Sequence, residues 1–392
     1  MRKVRFGVIG LGNMGSAHSR WCARDGGRDV GLGAVCDVVE AKAEQFGAEL
    51  NVPHFTDAAA MMDSGLIDAV IIATPHYWHP PLAIQAARRR LHVLCEKPVA
   101  SRIGHARAMV AECRRRQVAF GVVLHHRTRG DMRKLKQLVA GGAIGEVFRV
   151  ELICSSWFRT QAYYDSGAWR GTWDGEGGGV LINQAPHHLD LFQWIGGMPK
   201  RVMGMVHTRA HRIEVEDTAN FLLDYGRGKV GYIYATTAEE PGIEQFSLSG
   251  DEGTLTCKGR EIMLGRLKQP VSRHIFGAKK AWPGAGEQKI TWRKVKLPKD
   301  PGGRHLMIIK AFAAHVLRGS QMYCTGKEGL NELELSNAMY LAGFENRTVE
   351  LPVKAAEIER LIAALERDRS TGKGGNMRKT ADRQFRKLMK AR

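Results

Sequence analysis

The segment GGGVLINQAPHHLD, residues 177–190, gathers glycines, an amide, a proline, two histidines and an aspartate into one short stretch. Part of it has a purely structural reading, in which the glycines end one element and Pro186 opens a helix that buries Leu189, Phe192 and Ile195 at helical spacing. That reading leaves His187 without a task. An imidazole can take up or release a proton near neutrality, and a carboxamide can bond a hydroxyl but cannot act as a base. If the helix runs on from the glycines, Asn183 and His187 are four apart and share one face, although Pro186 can instead kink that helix or begin a new one. A second candidate is Lys97, which closes the apolar run LHVLCEKP. Such a lysine is ordinarily a solvated charge. Partly desolvated at the end of a buried strand, it can exchange protons near neutrality, and Pro98 fixes the loop that aims it.

The elements that must position these groups begin at the N-terminus. Residues 3–9, KVRFGVI, read as a strand, GLGNMG as a glycine turn and AHSRWCARDG as a helix. Gly10, Gly12 and Gly15, with Asn13 and Met14 between them, match the pattern in which a tight turn, close backbone approach to a pyrophosphate and close helix packing each require a glycine. The next strand, VGLGAVCD, ends in Asp37, where a carboxylate would hold the adenosine ribose hydroxyls and repel a 2′-phosphate. NAD is therefore favoured over NADP. An aspartate capping the following helix is the plainer alternative, but it does not account for the spacing.

Strand runs at 68–75, 91–98 and 118–124 then alternate with helical runs, which predicts a parallel, doubly wound α/β sheet. Thr74, Pro75, Glu96, Lys97 and His125 all fall at the carboxyl ends of its strands, the edge at which such sheets bind ligands. After Arg127 the pattern changes to strands joined by short turns, at 145–157, 201–208, 218–225, 229–238, 244–250 and 253–257. These predict an α+β domain with a large, mostly antiparallel sheet. Residues 266–300 read as long loops, and 304–318, 331–344 and 354–367 as helices. The expected organisation is a nucleotide-binding domain over 1–126, a substrate and oligomerisation domain over 127–366, and a basic tail over 367–392. Between the first two strands of the second domain lies RTQAYYDSGAWRGTWDGE, where Arg159, Tyr163, Tyr164, Trp169 and Arg170 alternate with small polar residues. Aromatic faces beside Arg and Asp suit a polyhydroxylated ring, so this segment reads as a substrate loop rather than core.

Composition limits the remaining classes. A chain of 392 residues exceeds what one core usually fills. The seven cysteines form no CxxC pair and no cluster with histidine, which fits a reducing, cytoplasmic setting with no disulfide and no metal. The short, glycine-interrupted apolar run at the N-terminus reads as a strand rather than a signal peptide, and no stretch approaches a membrane span. The net charge of +19 would ordinarily suggest nucleic acid. Part of it lies in the tail, which has Phe385 as its sole aromatic and reads as a solvated or subunit-wrapping extension. Nucleic acid is accordingly disfavoured, though salt-sensitive binding lost with residues 368–392 would revive it.

GLGNMG, ATP with His79 behind it, EKP at 96–98, and GGG followed by NQAPHHLD occur in order, and together they resemble the Gfo/Idh/MocA family, which includes glucose–fructose oxidoreductase and inositol dehydrogenases. The similarity runs over residues 1 to about 260. It implies a Rossmann domain followed by an α/β domain whose open sheet forms oligomer contacts. It also implies hydride transfer between nicotinamide and a secondary alcohol or ketone of a sugar, glycoside or cyclitol. By this resemblance Gly10, Gly12, Asn13, Met14, Gly15, Asp37, Thr74, Pro75, His79, Glu96 and Lys97 line the cofactor, and Lys97 and His187 are the proton-transfer pair. Lys97, Arg159, Tyr163, Tyr164, Trp169, Arg170, Asn183 and His187 then face the substrate. The chain departs from the family pattern at Asn183, where an aspartate is usual, and at Ala185, where a glycine is usual. Inositol oxidation, redox-assisted glycoside cleavage with retained NAD, and a nicotinamide sensor are the competing readings.

Overall fold

The computed structural model describes residues 3–282, 288–299, 302–367 and 377–391. Six parallel strands form the first sheet: β1 (Val4–Ile9), β2 (Val30–Cys36), β3 (His54–Phe55), β4 (Ala69–Ile72), β5 (His92–Cys95) and β6 (Phe120–Val122), in the order β3-β2-β1-β4-β5-β6. Its central strands are near-continuous apolar runs, as burial on both faces demands, and β4 is fully enclosed. The order reverses at β1, which sets a crevice between β1 and β4 beyond their carboxyl ends.

Nine strands form the second sheet: β7 (Val147–Cys154), β8 (Arg201–His207), β9 (Thr218–Gly226), β10 (Lys229–Thr236), β11 (Glu244–Gly250), β12 (Gly253–Lys258), β13 (Glu261–Leu267), β14 (Ile290–Lys294) and β15 (Val349–Glu350). Their order is β14-β13-β12-β11-β7-β10-β9-β8-β15, antiparallel throughout except where β10 runs parallel to β7. This is the α/β plus α+β architecture expected. One face is covered by the helices Pro186–Gly196 and Gly326–Glu345. On the other, Met203 stands opposite Leu222, and both are exposed, as are Met205, Val230 and Phe148. Strand alternation sends these side chains outward, so they form an uncovered apolar face.

Two sequence expectations are corrected. Residues 266–300 are not simply loop, because β13 ends at Leu267, a helix spans Val271–Gly277 and β14 follows. Lys, Gly and Pro enrichment hid them, and β14, the edge strand of the sheet, is exposed along its whole length. The end of the chain is also not a free extension where it is described: the helix Met377–Lys390 lies on the first domain. Its Phe385 stacks on His105 at 4.0 Å, Arg88 donates to the Leu388 carbonyl, and Asp382 pairs with the buried Arg102, which also contacts Glu359. Residues 368–376 of the expected tail, and Arg392, lie outside the described residues.

Candidate active site

The glycine turn joins β1 to the helix Asn13–Arg20. Gly10 adopts φ +89°, and a Cβ there would stand 2.8 Å from the Ala73 carbonyl at the end of β4. A Cβ on Gly15 would meet the Gly10 carbonyl at 1.7 Å, so only glycine lets the helix approach the turn. Nothing lies within 4 Å of a Cβ built on Gly12, and Gly12 and Asn13 are exposed beside Met14. Free backbone N–H groups at an uncapped helix start, with open space in front of them, fit a pyrophosphate. Asp37 closes the turn from the other side, accepting from Leu11 N at 2.7 Å and Val39 N at 2.9 Å, and Val38 and Val39 beyond it are exposed. The residues present therefore fit a dinucleotide.

Thr74 and Pro75 follow β4 beside Gly10. His79 is fully buried behind them, its Nδ1 at 2.9 Å from the Pro98 carbonyl and its Nε2 at 2.9 Å from that of Thr74. It thus ties the loop after β4 to the loop after β5. Glu96 is bonded to His18 of the first helix at 2.7 Å and accepts from Lys97 N at 3.1 Å. Burial pushes the Glu96 carboxyl up, but the bond and charge of His18, with His305 and Lys97 adding, outweigh it and bring it to about 2. A permanent carboxylate is therefore fixed immediately before Lys97.

Lys97 is partly buried and its Nζ donates to the Asn183 carbonyl at 2.7 Å. Burial lowers its pKa from the usual lysine range, opposed by the carboxylates of Glu96, Glu332 and Glu176. His187 is buried, stacked on His126 at 4.5 Å and edge-on to His125 at 4.1 Å. Burial, these two rings and Lys97 hold its pKa well below the usual imidazole value. The array continues through His305, 3.8 Å from His125, with burial bringing His125 to about 3 and His305 to about 4. These are neutral imidazoles at physiological pH. Among the described residues no group of three or more His, Cys, Asp or Glu is arranged to hold a metal ion.

Asn183 and His187 do not share a helix face. The helix starts at Pro186, and residues 179–185 form turns in which Ile182 N and Asn183 N both donate to the Gly179 carbonyl. Proline at the first helical position began a new element instead of continuing one. Tyr163 Oη accepts from Arg170 at 2.6 Å, Asn183 Nδ2 at 3.2 Å and Gln184 at 3.4 Å. The Arg159 guanidinium lies 4.8 Å above the Tyr163 ring, and that of Arg170 lies 4.5 Å above Trp169, which meets His76 edge-on. Tyr164 turns the other way: it is buried, bonded to Thr237 at 2.9 Å and tilted against His211, so packing rather than substrate contact fixes it.

The structure therefore brings together Lys97, Asn183, His187, Tyr163, Arg170, Arg159 and Trp169 across the loops after β4 and β5 and the 157–190 connection. Sequence reasoning missed Glu176, whose carboxyl contacts Asn183, together with His126, His305 and Gln184. A carboxyl directly before three glycines was the available signal for Glu176. A separate cleft of about 550 Å³, bordered by Lys3, Ile67, Asp68, Arg90 and His92, lies at the amino ends of the strands, away from these groups.

Residues 4–124 match the profile of the oxidoreductase family with an NAD-binding Rossmann fold, and residues 132–256 match the GFO/IDH/MocA C-terminal domain. Myo-inositol 2-dehydrogenase of Thermotoga maritima is 29% identical over 89% of this chain and 98% of its own length. D-glucoside 3-dehydrogenase of Escherichia coli is 25% identical over 89% of this chain and 97% of its own. The WlbA dehydrogenase of Bordetella pertussis, solved with NADH and UDP-GlcNAcA, superposes with TM-score 0.75 at 28% identity over 90% of this chain and 100% of that one. The two matched domains follow one another over more than half of the chain, and the chain belongs to the GFO/IDH/MocA family of NAD-binding oxidoreductases.

Proposed function

We propose that this oxidoreductase acts on a secondary alcohol of a sugar, glycoside or cyclitol, or on the corresponding ketone, with Lys97 as the proton acceptor in the oxidative direction. The observation that carries this reading is the placement of Lys97: its amine is held by the Asn183 carbonyl at the carboxyl edge of the cofactor sheet, and burial draws its proton affinity towards neutrality. NAD, when bound, supplies the hydride acceptor. The alcohol loses its hydroxyl proton to the lysine amine and its C–H hydrogen as hydride, leaving a ketone, so charge and atoms balance. Positioned proton transfer of this kind is worth ~10²–10⁴ in rate.

His187, neutral in its stack of imidazoles, suits a hydrogen bond to the reacting oxygen better than storage of a proton. The guanidinium groups of Arg159 and Arg170, stacked over the rings of Tyr163 and Trp169, offer donors to the hydroxyls of a polyhydroxylated ring. Relatives named as glucoside and inositol dehydrogenases support the same substrate class. Two further parts of the reading concern setting. The exposed face of Met203, Met205 and Leu222 would be covered by a second copy of this chain, and the seven buried free cysteines suit a reducing cytoplasm.

The test is NADH formation by purified protein with NAD and a panel of neutral sugars, glycosides and inositols. Turnover that Lys97→Met removes supports the reading. Tight NAD binding without turnover across the panel would instead favour redox-neutral glycoside chemistry.

A further inference from the structure

The family pattern places an aspartate where this chain has Asn183, yet the site does contain a carboxyl group at that point. Glu176 is fully buried, and its side chain accepts from Asn183 Nδ2 through one oxygen and from Gly171 N at 2.6 Å through the other. Its backbone carbonyl meets His76 Nδ1 at 2.9 Å, which fixes the residue to the loop after β4. The three glycines that follow make this return possible. Gly177 has φ +82° and Gly178 φ +151°, and a Cβ on Gly178 or Gly179 would lie 2.1 Å from Tyr340 Oη or 1.8 Å from the Glu216 carbonyl. Any larger residue would push the chain away from Asn183.

The Asn183 amide directs Nδ2 to Glu176 and to Tyr163 Oη, so both of its N–H groups are engaged and only its oxygen is left to meet a ligand. Its backbone carbonyl holds Lys97. Glu176 is thus linked to the lysine through one residue and also acts on it directly through its charge.

We propose, resting on the function proposed above, that Glu176 is a positioning residue that replaces the missing aspartate, fixing the Asn183 amide as a pure acceptor towards a substrate hydroxyl and supplying the negative charge that Lys97 faces. The groups around it fit this role. Arg170 approaches from its own loop, Lys97 from the loop after β5, His76 from the loop after β4, Tyr163 and Tyr164 from the helix Gln161–Asp165, and Tyr340 from the helix Gly326–Glu345. Burial raises the Glu176 carboxyl, against the pull of Gly171 N–H, Arg170, Asn183 and Lys97, to about 7. Its charge therefore changes near neutrality. A carboxylate beside an ammonium favours the protonated amine, so removing the charge lowers the proton affinity of Lys97.

The decisive experiment compares Glu176→Gln and Glu176→Asp with the full-length parent by two readouts. The first is the pH titration of Lys97 itself, measured as its acetylation by acetic anhydride with peptide mass spectrometry, which needs no turnover. The second is the pH profile of kcat. Glu176→Gln is expected to move the Lys97 titration and the acid limb of kcat down by about one pH unit, with NAD binding little changed and Tm lowered by a few degrees, because the buried carboxamide turns its own N–H towards that of Gly171 or Asn183. Glu176→Asp should keep the parent Lys97 titration while lowering kcat about tenfold, because its shorter side chain releases the Asn183 amide. An unshifted Lys97 titration in a folded Glu176→Gln protein overturns the proposal even if NADH formation persists. A shifted titration in a protein that turns over no sugar or cyclitol would sustain the charge coupling and refute the proposed function.

Discussion

Asp190, the last residue of the histidine segment, offers a quantitative test of how the site is held. Its two oxygens accept from Arg127 Nη2 at 2.7 Å and Nε at 2.8 Å, and both side chains are about 1% exposed. Arg127 directly follows His125 and His126, and Asp190 lies one turn beyond His187, so this pair clamps together the two elements that stack the imidazoles. Breaking a buried pair by neutralising one partner typically costs ~3–5 kcal/mol, since the remaining charge stays desolvated. Here Glu328 at 3.1 Å and the Tyr323 carbonyl at 3.1 Å still face Arg127 and offset part of the loss. Asp190→Asn is therefore predicted to destabilise by about 3 kcal/mol, a fall of roughly 4 °C in Tm for a chain of this size. Because the imidazole stack loosens, kcat should drop about tenfold. Thermal unfolding followed by circular dichroism reads the first effect, and NADH formation the second. Replacing the whole pair, as in Arg127→Met with Asp190→Leu, should recover most of the stability. An Asp190→Asn protein melting within about 1 °C of the parent would refute the clamp.

Further predictions address the cofactor turn, the lysine and the last helix. Gly15→Ala should abolish soluble NAD binding, because the new methyl would overlap the Gly10 carbonyl, and fluorescence titration with NADH checks this. Asp37→Ser should weaken NAD by about tenfold, the equivalent of ~1.4 kcal/mol, and narrow the preference over NADP; ratios of kcat/KM for the two cofactors measure it. Lys97→Arg keeps a positive charge that cannot be discharged near neutrality, so the rate should fall ~10²–10⁴-fold with NADH affinity retained. Lys97 has its pKa lowered by burial, so oxidation by the parent should lose rate as pH falls through that lowered value, and reduction of the ketone should not share this loss. Asp382→Ala leaves the buried Arg102 with Glu359 as its one carboxylate partner among the described residues and should lower Tm by several degrees, which differential scanning calorimetry reads.

Much of this arrangement was legible in the chain because local rules and tertiary needs agreed. The apolar runs of β1, β4 and β5 carry glycine or proline stops at the point where a ligand must approach, and Gly10, Gly15 and Lys97 follow from that geometry. What was not legible depended on contacts between distant segments. Nothing in the run NQAPHHLD shows that Pro186 restarts the helix, which separates Asn183 from the face of His187. Tyr163 and Tyr164 are adjacent and chemically alike, but the Gln161–Asp165 helix sends one towards Asn183 and the other into Thr237. The imidazole array draws His125, His187 and His305 from three separate elements, so no spacing announces it. The last helix looked solvated because its charge outweighs its few apolar positions, yet Ala381, Asp382 and Phe385 are the residues that dock.

The fate of the substrate hydrogen tests hydride transfer at this site most directly. Ring-deuterated methyl glucoside and myo-inositol would be incubated with NAD and the protein, and the NADH formed would be analysed by mass spectrometry. NADH one mass unit heavier than that from unlabelled substrate is expected, and no such NADH from Lys97→Met. Unlabelled NADH, or converted substrate with no NADH at all, would contradict hydride transfer from a ring carbon as the reaction of this site.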